Sequence, residues 1–172
     1  MDIKSLDKEK LQYALDNFAG IVKNLEYFES NFQQILKQPT DLVILATTGY
    51  YVSLCSLIKN KQGMDYTKIF DLLEYAIEEN AEYTELNNGL RQNIATLREW
   101  EKSLEYEMKH TKCIRDKYFG HIDFVDRDFM LNHFKNKEKG KQDDLVKFFR
   151  NLIAVCVDYS SAVMTAYQKR HS

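Results

Sequence analysis

The sequence predicts an all-α protein: one domain over residues 1–172, folded as a bundle of five to six helices. Three observations carry this prediction. One proline and six glycines leave few breaks in 172 residues, which favours long helices over a many-turned β fold. Apolar residues recur at three- and four-residue steps along most of the chain, and no alternating strand pattern competes with them. The composition is 44% apolar and 29% charged, as in globular domains. A chain of this length buries roughly 70% of its extended surface.

The first helix is expected from about Ser5 to Lys37. Leu11, Leu15, Phe18, Val22, Leu25, Phe32 and Leu36 form a near-heptad stripe. Gln38-Pro39 ends it, because proline disfavours the α conformation in the residue before it. Thr40 or Asp41 is then the expected cap of a second helix running to about Lys59. That helix is apolar almost all round, which marks it as the central buried element. After a turn at residues 60–63, Asp65 is placed to cap a third helix to about residue 79, with Ile69, Phe70, Leu73 and Ile77 inward. The acidic stretch from Glu78 to Glu85 and the triplet Asn87-Asn88-Gly89 read as a frayed end and a connection. A long fourth helix is expected from about Leu90 to Phe119, with Leu90, Ile94, Leu97, Leu104 and Met108 inward and Trp100 at the edge. A short element around Phe129, Met130 and Phe134 and a basic loop at residues 135–142 follow. The last helix spans about Asp143 to Gln168.

No apolar run looks long enough to cross a membrane, and the first residues lack an apolar signal core. The three cysteines, Cys55, Cys113 and Cys156, are odd in number and far apart. They read as buried thiols of a cytoplasmic protein, neither disulfide-forming nor zinc-binding. The net charge of −2 hides an asymmetry. Residues 1–108 carry 11 Lys and Arg against 18 Asp and Glu, whereas residues 109–172 carry 13 against 8. The basic excess suits an anionic ligand on the C-terminal part, and suits equally an ordinary solvated lysine face.

The one arrangement that looks like chemistry closes the fourth helix, at Ile114-Arg115-Asp116-Lys117-Tyr118-Phe119-Gly120-His121-Ile122-Asp123. At about 100° per residue, Leu97, Leu104 and Met108 fall within roughly 20° of Arg115. A guanidinium on that apolar stripe is costly unless it meets a carboxylate, a phosphate or a water-filled cleft. Gly120 is a natural helix stop, and a stop there frees His121 to turn back toward Arg115. His110 and His121 lack the i, i+4 spacing of helical metal ligands; His110, His133 and His171 sit in polar surroundings and read as exposed.

An all-α chain of this length with R-x(4–6)-H at the end of a long helix resembles the HEPN superfamily. The string from Arg115 to His121, with Asp123 after it, looks most like the abortive-infection branch of the AbiU type, which tends to read R-[ND]-K-Y-x-[AG]-H. The resemblance implies a metal-independent endoribonuclease without a cofactor, acting as a toxin or in antiviral defence. It implies a homodimer whose two motifs face each other. It gives Arg115 and His121 the active-site roles and Asp116 the polar position after the arginine. Lys112, Lys117 and Tyr118 are the accompanying candidate contacts to RNA. An antitoxin or nucleotidyltransferase-type partner is a further implied partner. Some branches carry a modifiable tyrosine two residues after the histidine; Asp123 stands there instead.

Elementary chemistry agrees with this resemblance. RNA carries its own nucleophile, the 2′-hydroxyl, and needs a base, an acid and positive charge on the phosphate. Histidine titrates near neutral pH, and arginine grips phosphate oxygens as a planar fork. Other readings stay open at this point. Arg115 can pair with Asp123 or Glu107, and His121 can be a cation favoured by a helix C-terminus. Tyr118 and Phe119 suit packing as well as base stacking. The chain can equally be a HEPN-like module that binds RNA or nucleotides without cleaving, or a helical adaptor.

Overall fold

The computed structural model describes residues 8–59, 63–114 and 141–172. Among them are six α-helices and no strand: α1 Lys8–Ile35, α2 Thr40–Ile58, α3 Tyr66–Glu79, α4 Thr84–Ser103, α5 Glu105–Ile114 and α6 Lys141–His171. The all-α bundle expected from the periodicity is the observed architecture.

The expected stripes face inward. Phe18, Val22 and Leu25 of α1, Ile69, Phe70 and Leu73 of α3, and Leu90 and Leu97 of α4 are all buried in one core cluster. The cluster is completed by Leu145, Phe148, Phe149 and Leu152 of α6. Aromatic rings meet edge-on through it: Phe18 with Phe149 at 6.0 Å, Tyr66 with Phe148 at 5.9 Å, and Trp100 with Phe148 at 5.8 Å. Such pairs add about 0.5–1.5 kcal/mol each beyond the area they bury. Asp65 caps α3 as its position suggests, its carboxylate accepting from the Lys68 backbone N–H at 3.2 Å.

Five expectations are corrected. The N-cap of α2 is Pro39, not Thr40 or Asp41. Its ring sets an extended conformation, φ −49° and ψ 143°, and its carbonyl accepts from the N–H groups of Leu42 and Val43 at 3.0 and 3.1 Å. Nor is α2 the central buried helix. It packs on α1, α3 and α5, which bury Val43, Tyr50, Tyr51, Leu54 and Leu57 but leave Leu42, Leu45 and Val52 exposed. The central position belongs to the first half of α6, which touches α1, α3, α4 and α5. α2 is also 19 residues long and apolar enough to cross a membrane by length and composition, contrary to the expectation that no run is.

α4 begins at Thr84, so the Asn87-Asn88-Gly89 triplet lies inside a helix and not in a connection. Buried Asn87 explains the difference. Its amide donates to the Asn80 carbonyl at 2.8 Å, and its side-chain oxygen accepts from the Tyr159 hydroxyl at 2.6 Å. A polar residue that reads locally as a turn signal is thereby held in the core. The expected single helix over residues 90–119 is also divided in two, as far as Ile114, where the described stretch ends. Leu104, with φ −100° and ψ 4°, interrupts it. The Leu104 N–H still reaches the carbonyls of Trp100 and Glu101, and its own carbonyl accepts from Met108 at 2.9 Å. Ser103 donates its hydroxyl to the Trp100 carbonyl at 2.7 Å, a local bond that competes with helical pairing and bends helices. The helical run is therefore interrupted at this point without losing these backbone bonds, and α5 continues as the element that leads to Arg115.

Candidate functional site

α5 is fixed on two sides. Leu104, Met108, Thr111 and Ile114 are buried, a three- and four-residue register that runs to the residue before Arg115. The helix packs against α2, α4 and α6. The Cys55 thiol of α2 donates to the Thr111 carbonyl at 3.6 Å. The Thr47 and Thr111 hydroxyls are buried without a hydrogen-bond partner among the described residues, so the contact of α2 with α5 carries polar atoms inside apolar surroundings. Such atoms carry a desolvation cost and no chemistry of their own at neutral pH.

Of the candidate site residues, Lys112 is described. It is half-buried in the last turn of α5, where a cation favours the negative end of the helix dipole. Arg115, Asp116, Lys117, Tyr118, His121 and Asp123 lie outside the described residues, as do His133 and the short element around Phe129, Met130 and Phe134. On the outer side of α5, exposed His110 stacks on Tyr106, ring centroids 5.9 Å apart and nearly parallel. Glu105 and Lys109 pair there at 2.6 Å, and that lysine holds the Glu105 carboxyl below its usual range. His171 packs on Tyr167 at the end of α6.

Two other groups of residues invite a functional reading and receive a structural one. Arg98 lies 3.8 Å from the Phe70 ring centre and pairs with Glu101 at 3.1 Å. Burial, with the hydrogen bond to Glu101, pushes the Tyr66 hydroxyl well above the usual phenol range. This cluster locks α3 to α4. Cys156 borders a small cavity with Leu11, Leu15, Ala76 and Tyr159. Burial raises its thiol to about 12, so almost none of it is the reactive thiolate at neutral pH.

One concave feature escapes a reading of the sequence. An open groove of about 720 Å³ runs between the start of α4 and the second half of α6. Ser161, Ala162, Thr165 and Ala166 leave room opposite Tyr83 and Leu86. The signal for it was two pairs of small residues one helical turn apart. It lies at the opposite end of the α4–α5 run from Ile114. Among the described residues no group of three or more His, Cys, Asp or Glu could hold a metal ion. Comparison with family models, curated proteins and solved structures finds no match to this chain.

Proposed function

We propose that this chain is a metal-independent endoribonuclease of the HEPN kind, a cytoplasmic toxin or abortive-infection effector that cuts RNA by attack of its own 2′-hydroxyl. The observation that carries the reading is the string Arg115-Asp116-Lys117-Tyr118-Phe119-Gly120-His121, with Asp123 two residues later. Its place in the chain supports it: the string begins immediately after Ile114, the last buried residue of a helix anchored to α2, α4 and α6. The basic excess of residues 109–172 and half-buried Lys112 add positive charge beside it.

In this scheme Arg115 binds two oxygens of the scissile phosphate and offsets the charge of the crowded transition state. His121 removes the 2′-hydroxyl proton. The 2′-oxygen bonds to phosphorus as the bond to the 5′-oxygen breaks, and a second histidine protonates that leaving oxygen. One chain offers one suitably placed histidine, and a two-fold homodimer supplies the other. Asp116 braces the arginine, and Lys117 and Tyr118 contact the RNA strand. An antitoxin or nucleotidyltransferase-type partner would restrain the activity.

The test is incubation of purified protein with mixed RNA in EDTA. Cleavage is the expected result. Intact RNA together with binding that is lost in Arg115→Ala would replace the enzyme with a non-catalytic RNA-binding module. Intact RNA with no binding would leave a helical adaptor.

A further inference from the structure

We infer that the outward face of α2 is a two-fold contact surface that holds a second copy of this chain antiparallel to the first. Leu42, Leu45 and Val52 are 52%, 68% and 48% exposed, on a helix long and apolar enough to enter a bilayer. With Gly49 and Ser56 they follow a three-four-three-four spacing, about 21 Å of continuous stripe on one side of the helix. No charged residue interrupts it. Asp41 is the single charged residue of α2, and Lys59 follows directly after its last residue.

The stripe is self-complementary in one direction. An antiparallel pair with its two-fold axis near Gly49 sets Leu45 against the partner's Val52 and Leu42 against the partner's Ser56. It also sets Asp41 against the partner's Lys59, at both ends. Asp41 lies in the first turn and Lys59 caps the last turn with an extended backbone, φ −153° and ψ 110°, so opposite charges mark the two ends of the helix and an antiparallel two-fold brings unlike ends together. A parallel pair would instead place like charges at the same end, so neither residue would meet an opposite charge. Both side chains are exposed, and neither has an ion-pair partner among the described residues.

Gly49 supplies an independent argument. A glycine within a helix weakens it, and a Cβ added at Gly49 would meet nothing within 4 Å. Nothing among the described residues requires glycine there. At the crossing point of two copies its missing side chain lets the backbones approach closely. Cys55, which ties α5 to α2, lies about 40° round the helix from Asp41. The pairing therefore puts both copies' α5 helices on one side of the dimer. The contact itself rests on α2 alone and stands without the two-histidine scheme.

A contact of two single helices is small beside standard interfaces, so a reversible dimer with Kd on the order of 10–100 micromolar is expected. Sedimentation equilibrium of the full chain at low salt tests it, with RNA cleavage measured separately so that failure of one reading leaves the other standing. Wild type should show a monomer–dimer equilibrium. Leu45→Glu should weaken it at least tenfold with an unchanged helical spectrum, because that side chain is exposed in the monomer. Asp41→Lys and Lys59→Asp should each weaken association severalfold, and the double reversal in one chain should restore it. A wild type that stays monomeric at several hundred micromolar overturns the inference. So does a dimer indifferent to Leu45→Glu, or single charge reversals without effect, which a parallel pair would give. A monomer that binds phosphatidylglycerol vesicles through Leu45 would assign the stripe to a lipid surface instead.

Discussion

Asn87 decides where α4 begins. Its side chain is 3% exposed and satisfies two groups from other elements, the Asn80 carbonyl and the Tyr159 hydroxyl. Asn87→Leu keeps the volume but removes both bonds; the Asn80 carbonyl keeps the Tyr83 N–H and the Tyr159 hydroxyl keeps the Ala76 carbonyl at 3.3 Å, so the cost should be about 1 kcal/mol in urea unfolding. Tyr159→Phe should cost more, about 1–3 kcal/mol, since it leaves the buried Asn87 side-chain oxygen without its donor. An Asn87→Leu variant as stable as the wild type would show that these bonds do not hold the helix start. The buried titratable groups make a second residue-scale prediction. Burial lifts Cys156 from 9.0 to about 12 and also raises Tyr66 and Tyr159. A group that gives up its proton less readily in the folded chain adds stability below its unfolded pKa and loses it as pH rises through the folded value. Melting temperature should therefore hold up to about pH 9 and fall steadily above it. Cys156 should alkylate slowly at pH 8 in the native state. Fast alkylation there, or a melting temperature that rises above pH 9, contradicts this assignment.

Helices whose signals are local were legible in the sequence. The stripes of α1 and α3 and the Asp65 cap depend on residues within a turn or two of each other, and they stand where the periodicity put them. What the sequence hid depends on neighbours distant in the chain. Asn87-Asn88-Gly89 reads as a connection because its reason for being helical, Tyr159, is 72 residues away. The uniform apolarity of α2 reads as complete burial, yet which half of a helix is covered is decided by where α1, α3 and α5 pack. The interruption at Leu104 coincides with a serine bond to a carbonyl three residues back, which no apolar pattern records. The arginine–histidine stretch was legible only as a motif, and the groove beside α6 only as pairs of small residues. Gly20 makes the element-scale prediction. It sits within α1, and a Cβ there would meet nothing within 4 Å. Gly20→Ala should stabilise the chain by about 0.5–1 kcal/mol through the entropy of the unfolded state. A loss of stability in thermal or urea unfolding would mean that α1 needs the glycine for something outside this chain.

At the scale of the whole molecule, a single core joins all six helices, and α5 delivers the Arg115 stretch from a position fixed by that core. The apolar face of α2 lies outside it and is free to join two copies. The proposed division is therefore that the core holds the site, and a second copy supplies the second histidine. The proposed cleavage turns on His121. The most direct test compares wild type and His121→Ala on a labelled RNA in EDTA, with product ends identified. Wild type should release 2′,3′-cyclic phosphate and 5′-hydroxyl ends, and His121→Ala should be slower by about 10²–10⁴ with an unchanged helical spectrum. Arg115→Lys should also fail, because an ammonium lacks the planar fork. Equal cleavage by wild type and His121→Ala, or cleavage that demands Mg²⁺, would contradict the account.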